Sequence, residues 1–596
     1  EDEQVFADTH ALVLDWVARG VVDGLRIDHP DGLRDPEGYF RRLREAATRA
    51  WIVVEKILEP GEALPASWPV DGTTGYDFLN RLGGLFVDPH GEAALSAAYA
   101  AHTGQPVDVD EVVHDAKHLV MREVLAADVN RLTHLFVDVC EASRRYRDFT
   151  RHELHEVLRE VIACFGVYRT YVRPAQPVSE ADDHHLTSAL AEASTRRSDL
   201  DPELFELLGQ VLRGRLDVPA ASVLLERFQQ VTGPVMAKAV EDTAFYRYNS
   251  LISLNEVGGD PGRFGTTLDD FHHSLAVAQE RWPATMLASS THDTKRSEDV
   301  RARISLLSEI PEQFAAAVRR WSTTNAAHRS PSHGGGTWPD ANFEWLFYQS
   351  LIGAWPISTD RLAAFTEKAT REAKVHTSWI DPDPAYDDAV RRFVLGALND
   401  AGFVDDLVTF VEPLIGPGRT NSLAAQLVKL TAPGVPDLYQ GTELWDLSLV
   451  DPDNRRPVDF AARTALLDEV GAMSTEEVLR RADEGLPKLH VTRAALRQRQ
   501  RWPEVFGAGE AGRYRAVVAE GGALEHVVAF TRGARVAVVV PRLVLGLDRR
   551  GGWGDTTVAL GCGRWHNVLT GDDVDGDRMS LQSLLGTFPV ALLVAA

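Results

Sequence analysis

Cysteine is nearly absent, basic charge is short and no long apolar run occurs, and each shortage removes a class of function. Only three cysteines stand among 596 residues, Cys140, Cys164 and Cys562, far apart and without a CxxC pair. Neither a disulfide framework nor a zinc motif is encoded, and a reducing cytoplasm is the natural setting. Lys and Arg number 62 against 87 Asp and Glu, a formal net charge of −25. A phosphate backbone or an anionic membrane rewards clustered cations, so a neutral substrate fits better, with no nucleic-acid or membrane partner. No run of about 18 apolar residues could span a bilayer, and no basic-then-apolar leader is present. The sequence opens at Glu1 within an amphipathic helical pattern, as though entered partway.

What is present is an alternation of helix and strand signals. Val5, Phe6, Leu12, Val13, Trp16 and Val17 share one helical face, and Gly20 follows as a stop. Val21–Asp28 reads as a short buried strand, with a turn at His29-Pro30-Asp31-Gly32. Asp35 and Pro36 announce a second helix as cap and first residue, and Trp51–Glu55 reads as another strand. Short connections in this order imply parallel strands with crossover helices.

Residues 85–235 read as a helical insertion, strand signals resume at Ser250–Leu254 and Thr285–Ser289, and 310–430 reads as a second helical insertion before Gly434–Tyr439. Beyond about 505, alternating strands and Gly-rich turns announce an all-β domain. The expected fold is α/β, a (β/α)8 TIM-type barrel with large helical insertions and a C-terminal β-sandwich. Catalytic barrel segments are placed at 1–84, 236–309 and 431–504, and the sandwich at 505–596.

Asp28 and Glu55 each end an apolar strand, one βα unit apart, and Asp293 follows the strand at 285–289. In a (β/α) barrel that rim is where active sites form. One such acid could cap the next helix or pair with an arginine, but three on consecutive strand ends suit glycosidic bond cleavage. There one carboxylate attacks the anomeric carbon and a second, kept protonated, serves the leaving oxygen. Retention needs the pair roughly 5 to 5.5 Å apart. Neighbouring strands lie about 4.8 Å apart, so adjacent strand ends can supply that spacing. Arg26, two residues before Asp28, faces the same side and favours its ionised form.

These residues carry a resemblance. Gly24-Leu25-Arg26-Ile27-Asp28-His29 resembles the nucleophile strand of the α-amylase family of glycoside hydrolases, Val54-Glu55 its acid/base strand, and Ser290-Thr291-His292-Asp293 its transition-state-stabilising motif. The resemblance implies Asp28 as nucleophile, Glu55 as acid/base and Asp293 as the residue holding sugar hydroxyls, with Arg26, His29 and His292 around them. Further stretches at 72–78, 293–299, 434–441, 451–457 and 487–493 are similar to those of the maltooligosyl trehalose synthases. That subfamily isomerises the reducing-end α-1,4 linkage of a maltooligosaccharide to an α,α-1,1 linkage. Tyr76, Asp77, Lys295, Arg296 and Tyr439 are then candidate walls of the pocket that retains the freed glucose.

The family's Asp and Asn-His motif after strand three has no match, so the chain is expected to hold strands four to eight. Strands one to three are expected to come from a separate polypeptide or to have been lost by cleavage. The readings that compete are a hydrolase or intermolecular glucosyltransferase with the same carboxylates, and a non-catalytic glucan-binding module. No cofactor and no metal ligand are expected. Asp182-Asp183-His184-His185 and His272-His273 lack a joining helical or strand spacing, and the Asp451 turn lacks the ligand spacing of a calcium loop.

Overall fold

A computed structural model describes residues 2–104, 108–561 and 563–595, so Cys562 lies outside the described residues. The chain divides into two compact units, Glu1–Thr73 with Asp108–Tyr248, and Thr74–Val107 with Asn249–Ala596.

The first unit begins with helix α1 (Glu3–Ala18), started by the Asp2 carboxylate, which accepts the N–H groups of Gln4 and Val5. Its apolar stripe faces outward: Val5, Leu12 and Trp16 are 58, 59 and 38% exposed. Strand β1 (Gly24–Ile27) follows, then α2 (Pro36–Ala46), β2 (Trp51–Val54) and β3 (Gly72–Thr73). β1 starts later than Val21 because the N–H groups of Val21 and Val22 bond back to the Trp16 carbonyl and finish α1 instead.

The three strands are parallel in the order β1-β2-β3, with Ile27 beside Val54 and Val54 beside Thr73. Ile52, Val53 and Val54 are buried, as expected of a strand covered on both faces. β3 escaped the sequence reading because two residues carry no periodicity. Asp71 sets it in place: its carboxylate accepts the Ile52 N–H at 2.7 Å and pairs with Arg44 at 2.8 Å. The rest of this unit is a helical bundle from Val109–Glu123 to Pro219–Met236, packed around side chains such as Phe136, Leu158, Leu208 and Phe228.

In the second unit, β4 (Met286–Leu287) pairs in parallel with β5 (Val435–Pro436). The strand expected at Ser250–Leu254 does not form; the segment is a series of turns. Side chains take the place of a neighbouring strand there. Gln349 bonds the Asn249 carbonyl and the Ile252 N–H, Trp345 the Ser250 carbonyl, and Arg296 the Ile252 carbonyl. Helix Glu92–Thr103, expected within the first insertion, belongs to this unit together with Tyr76–Gly84. Long helices run from Pro311–Thr324 to Ala401–Thr431.

From Tyr514 onward the chain forms antiparallel sheets of six and three strands around an apolar cluster that includes Val539, Trp553, Val558 and Leu593. Among the described residues no helix is long and apolar enough to cross a membrane.

Candidate active site

The β1-β2 register that pairs Ile27 with Val54 makes Asp28 and Glu55 the next residues of neighbouring strands, tied by the Glu55 N–H to the Ile27 carbonyl at 2.9 Å. The Arg26 guanidinium reaches both carboxylates, Asp28 at 2.6 Å and Glu55 at 3.6 Å. Their settings differ sharply. The Asp28 side chain is 72% exposed and the Glu55 side chain 17%. Burial is the largest influence on Glu55 and pushes its carboxyl up to about 7; the His29 N–H opposes the rise, the Asp28 charge adds to it and Arg26 subtracts. Two carboxyl groups side by side, one in water and one kept protonated near neutrality, can divide nucleophile and acid roles between them.

The loop after Asp28 is held from several directions. His29 adopts a left-handed conformation (φ 40°) and donates its N–H to Glu55 at 2.7 Å. Asp31, buried, accepts from the Tyr171 hydroxyl at 2.6 Å, and Arg169 bonds the carbonyls of Asp31 and Leu33. Lys56, immediately after Glu55 and also buried, lies 3.6 Å from Asp31 and 2.8 Å from Glu62 and donates to the Ile57 carbonyl. Burial works against the Lys56 charge, but Asp31 and Glu62 more than offset it and raise its pKa. The loops following both strand-end acids are thus joined through one buried ammonium.

A second group assembles in the other unit. Asp293 pairs with His292 at 2.9 Å, and the Thr291 hydroxyl accepts the N–H groups of Asp293 and Thr294. The Tyr76 hydroxyl lies 3.0 Å from Thr291 Oγ1, which places Tyr76, itself buried, beneath this turn. Glu256 accepts the N–H groups of Lys295 and Arg296 and binds Arg301 at 3.0 Å. Lys295 and Arg296 are both buried, whereas Asp77 pairs with Arg81.

Tyr439 donates to the Asn454 carbonyl at 3.0 Å, and the Asn454 amide donates in turn to the carbonyls of Thr291 and His292. Arg455 lies 3.9 Å from Asp293. Of the residues singled out in the sequence, Arg26, Asp28, His29 and Glu55 therefore meet in one unit. Tyr76, His292, Asp293, Lys295, Arg296 and Tyr439 are linked around one turn in the other.

No family model matches the chain. A Mycobacterium tuberculosis protein described as a candidate maltooligosyl trehalose synthase is 40% identical over 602 residues, covering 100% of this chain and 72% of that protein. The chain belongs to the maltooligosyl trehalose synthase family. The solved maltooligosyltrehalose synthase of Arthrobacter ramosus superposes with a TM-score of 0.88 at 40% identity, over 100% of this chain and 73% of the other. A Sulfolobus tokodaii structure, a hypothetical maltooligosyl trehalose synthase, gives 0.79 at 31% identity, over 100% of this chain and 72% of its own.

Sequence reasoning did not bring Asn454 and Arg455 to the Asp293 turn, where the structure places them. The segment Asp451–Pro457 was set apart as similar to the maltooligosyl trehalose synthases, yet only the structure brings its Asn and Arg to the Asp293 turn. An Asn-Arg pair next to a turn-forming Pro-Asp is an available signal, but nothing in the spacing says which turn it meets.

Proposed function

We propose that this chain converts the reducing-end α-1,4 linkage of a maltooligosaccharide to an α,α-1,1 linkage by a retaining double displacement, an intramolecular transferase reaction of the isomerase class. The observation that carries it is the pair Asp28 and Glu55 on adjacent parallel strand ends, bracketed by Arg26 and differently buried. Asp28 attacks the anomeric carbon while Glu55 protonates the departing reducing-end glucose. That glucose turns over, and its anomeric hydroxyl attacks the Asp28 ester with Glu55 now taking the proton.

Asp293, by its motif, holds sugar hydroxyls and gains from His292 and Arg455. Tyr76 and Arg296 act from beneath as supports, while Lys295, Tyr439, Asp77 and His29 are the candidate sugar contacts. Isomerisation outruns hydrolysis only if the freed glucose is held and water is kept out.

In this proposal β1, β2 and β3 are consecutive strands of a (β/α) barrel wall in the first unit, and β4 and β5 are a parallel pair of the same kind in the second. The exposed apolar stripe of α1 is a face on which a further layer can pack. The scarce cysteine favours a cytoplasmic setting.

Product analysis on maltopentaose tests the reaction. Reducing power is expected to fall while chain length is unchanged; new reducing ends on shorter chains would mean hydrolysis instead. The pH dependence tests Glu55. Because the acid form is needed for the first step and its pKa lies at about 7, kcat/KM is expected to fall as pH rises through that value, about tenfold per unit beyond it. A profile flat to well above pH 7 would contradict the assignment.

A further inference from the structure

Away from Asp28 and Glu55, the helical bundle of the first unit carries a cluster that the reaction does not use. His114 and His118 are four residues apart on helix Val109–Glu123 and so share a face, while Glu160 and Cys164 are four apart at the end of the neighbouring helix Arg151–Ala163. His114 Nε2 lies 2.8 Å from Glu160 Oε1, His118 Nε2 3.2 Å from Oε2, and Cys164 Sγ 3.7 Å from Oε1. The ligand atoms of His114, His118 and Glu160 all lie within 4.8 Å of one another. The side chains are 15, 20 and 4% exposed in that order.

We propose that His114, His118 and Glu160 form a binding site for a divalent transition metal of the zinc class, with one position left open to water. In a tetrahedral zinc site with bonds of about 2.0–2.1 Å to N and O and 2.3 Å to S, neighbouring ligand atoms are about 3.3–3.5 Å apart. The two separations from Glu160, 2.8 and 3.2 Å, lie close to that spacing, and no two of the three residues' ligand atoms are more than 4.8 Å apart. Two imidazoles and a carboxylate are a donor set that favours zinc or cobalt over magnesium or calcium. Glu160 would balance one of the metal's two positive charges, and each imidazole carries its remaining proton on Nδ1.

Neighbouring cations work against the metal. Lys117, bonded to the Phe165 carbonyl at 2.7 Å, adds positive charge nearby. Arg159 is the direct competitor: its guanidinium lies 3.1 Å from His118 Nδ1 and 3.1 Å from Glu156. Once His118 binds through Nε2 its Nδ1 carries a proton, so Arg159 must turn away toward Glu156. Removing Arg159 should therefore tighten the site, whereas a purely hydrogen-bonded cluster gives no reason for metal affinity to respond.

The test uses the whole chain, stripped with a chelator and titrated with Co2+, then challenged with Zn2+. Saturation at about one equivalent is expected, with visible d–d bands that are lost on adding Zn2+. The double variant His114→Ala, His118→Ala should lose them, and so should Glu160→Gln. Arg159→Leu should bind about tenfold more tightly. Circular dichroism without metal checks that each variant is folded; if the histidine variant is not, the Glu160→Gln spectrum decides. The proposal is overturned by a chain that takes up no Co2+ in this titration, or by a spectrum that survives loss of both histidines or of the Glu160 carboxylate.

Discussion

Asp28→Asn is expected to slow conversion of maltopentaose at least about 10⁴-fold, equivalent to about 5 kcal/mol or more on the barrier. An amide of the same shape cannot form the glycosyl ester, and no neighbouring carboxylate stands ready to replace it: Glu55 is drawn back by burial and by the His29 N–H. The fold should be nearly indifferent. Asp28 is 72% exposed, and its pairing with Arg26 is a partly solvated contact, so stability should change by no more than about 0.5 kcal/mol. Rate and melting temperature measured together separate the two. A variant that binds glucan and turns over like the parent would instead mean a binding module, and one that merely unfolds would mean that Asp28 is structural.

Glu55→Gln should lose about 10²–10⁴-fold on the same substrate, because the reducing-end sugar leaves slowly without a proton. The amide oxygen of this variant can still accept the His29 N–H, so the loop geometry should persist. With an α-glucosyl fluoride, whose leaving group needs no protonation, the first step should recover most of this loss. The second should not, since an amide cannot act as a base, so a covalent adduct accumulates. Equal losses on the two substrates would show that Glu55 does not act as the acid.

How much of this was legible beforehand follows from chain length and contact range. Asp28 and Glu55 were readable because each ends an apolar run, and neighbouring parallel strands bring such ends together through a short, strongly patterned βα unit. The helix start at Asp35 and Pro36 was equally local. Gly72–Thr73 was not readable: two residues have no period, and Asp71 and Arg44 place them. Ser250–Leu254 misled for the opposite reason, since its apolar pattern is real but Gln349, Trp345 and Arg296 satisfy its backbone. Asn454 reaches the Asp293 turn across more than 160 residues, and His114 meets Glu160 across two helices. No local pattern records either meeting.

In the proposed reaction the glycosyl chain is carried on Asp28 while the freed glucose turns over beside it. The most direct measurement is to trap that ester with a glycosyl fluoride whose ring fluorine slows its release, digest the protein and locate the added mass by tandem mass spectrometry. The expected result is one glycosyl group on the peptide holding Asp28, absent from Asp28→Asn. A label on Glu55, on Asp31 or on Asp293, or consumption of the reagent with no covalent adduct, would contradict it.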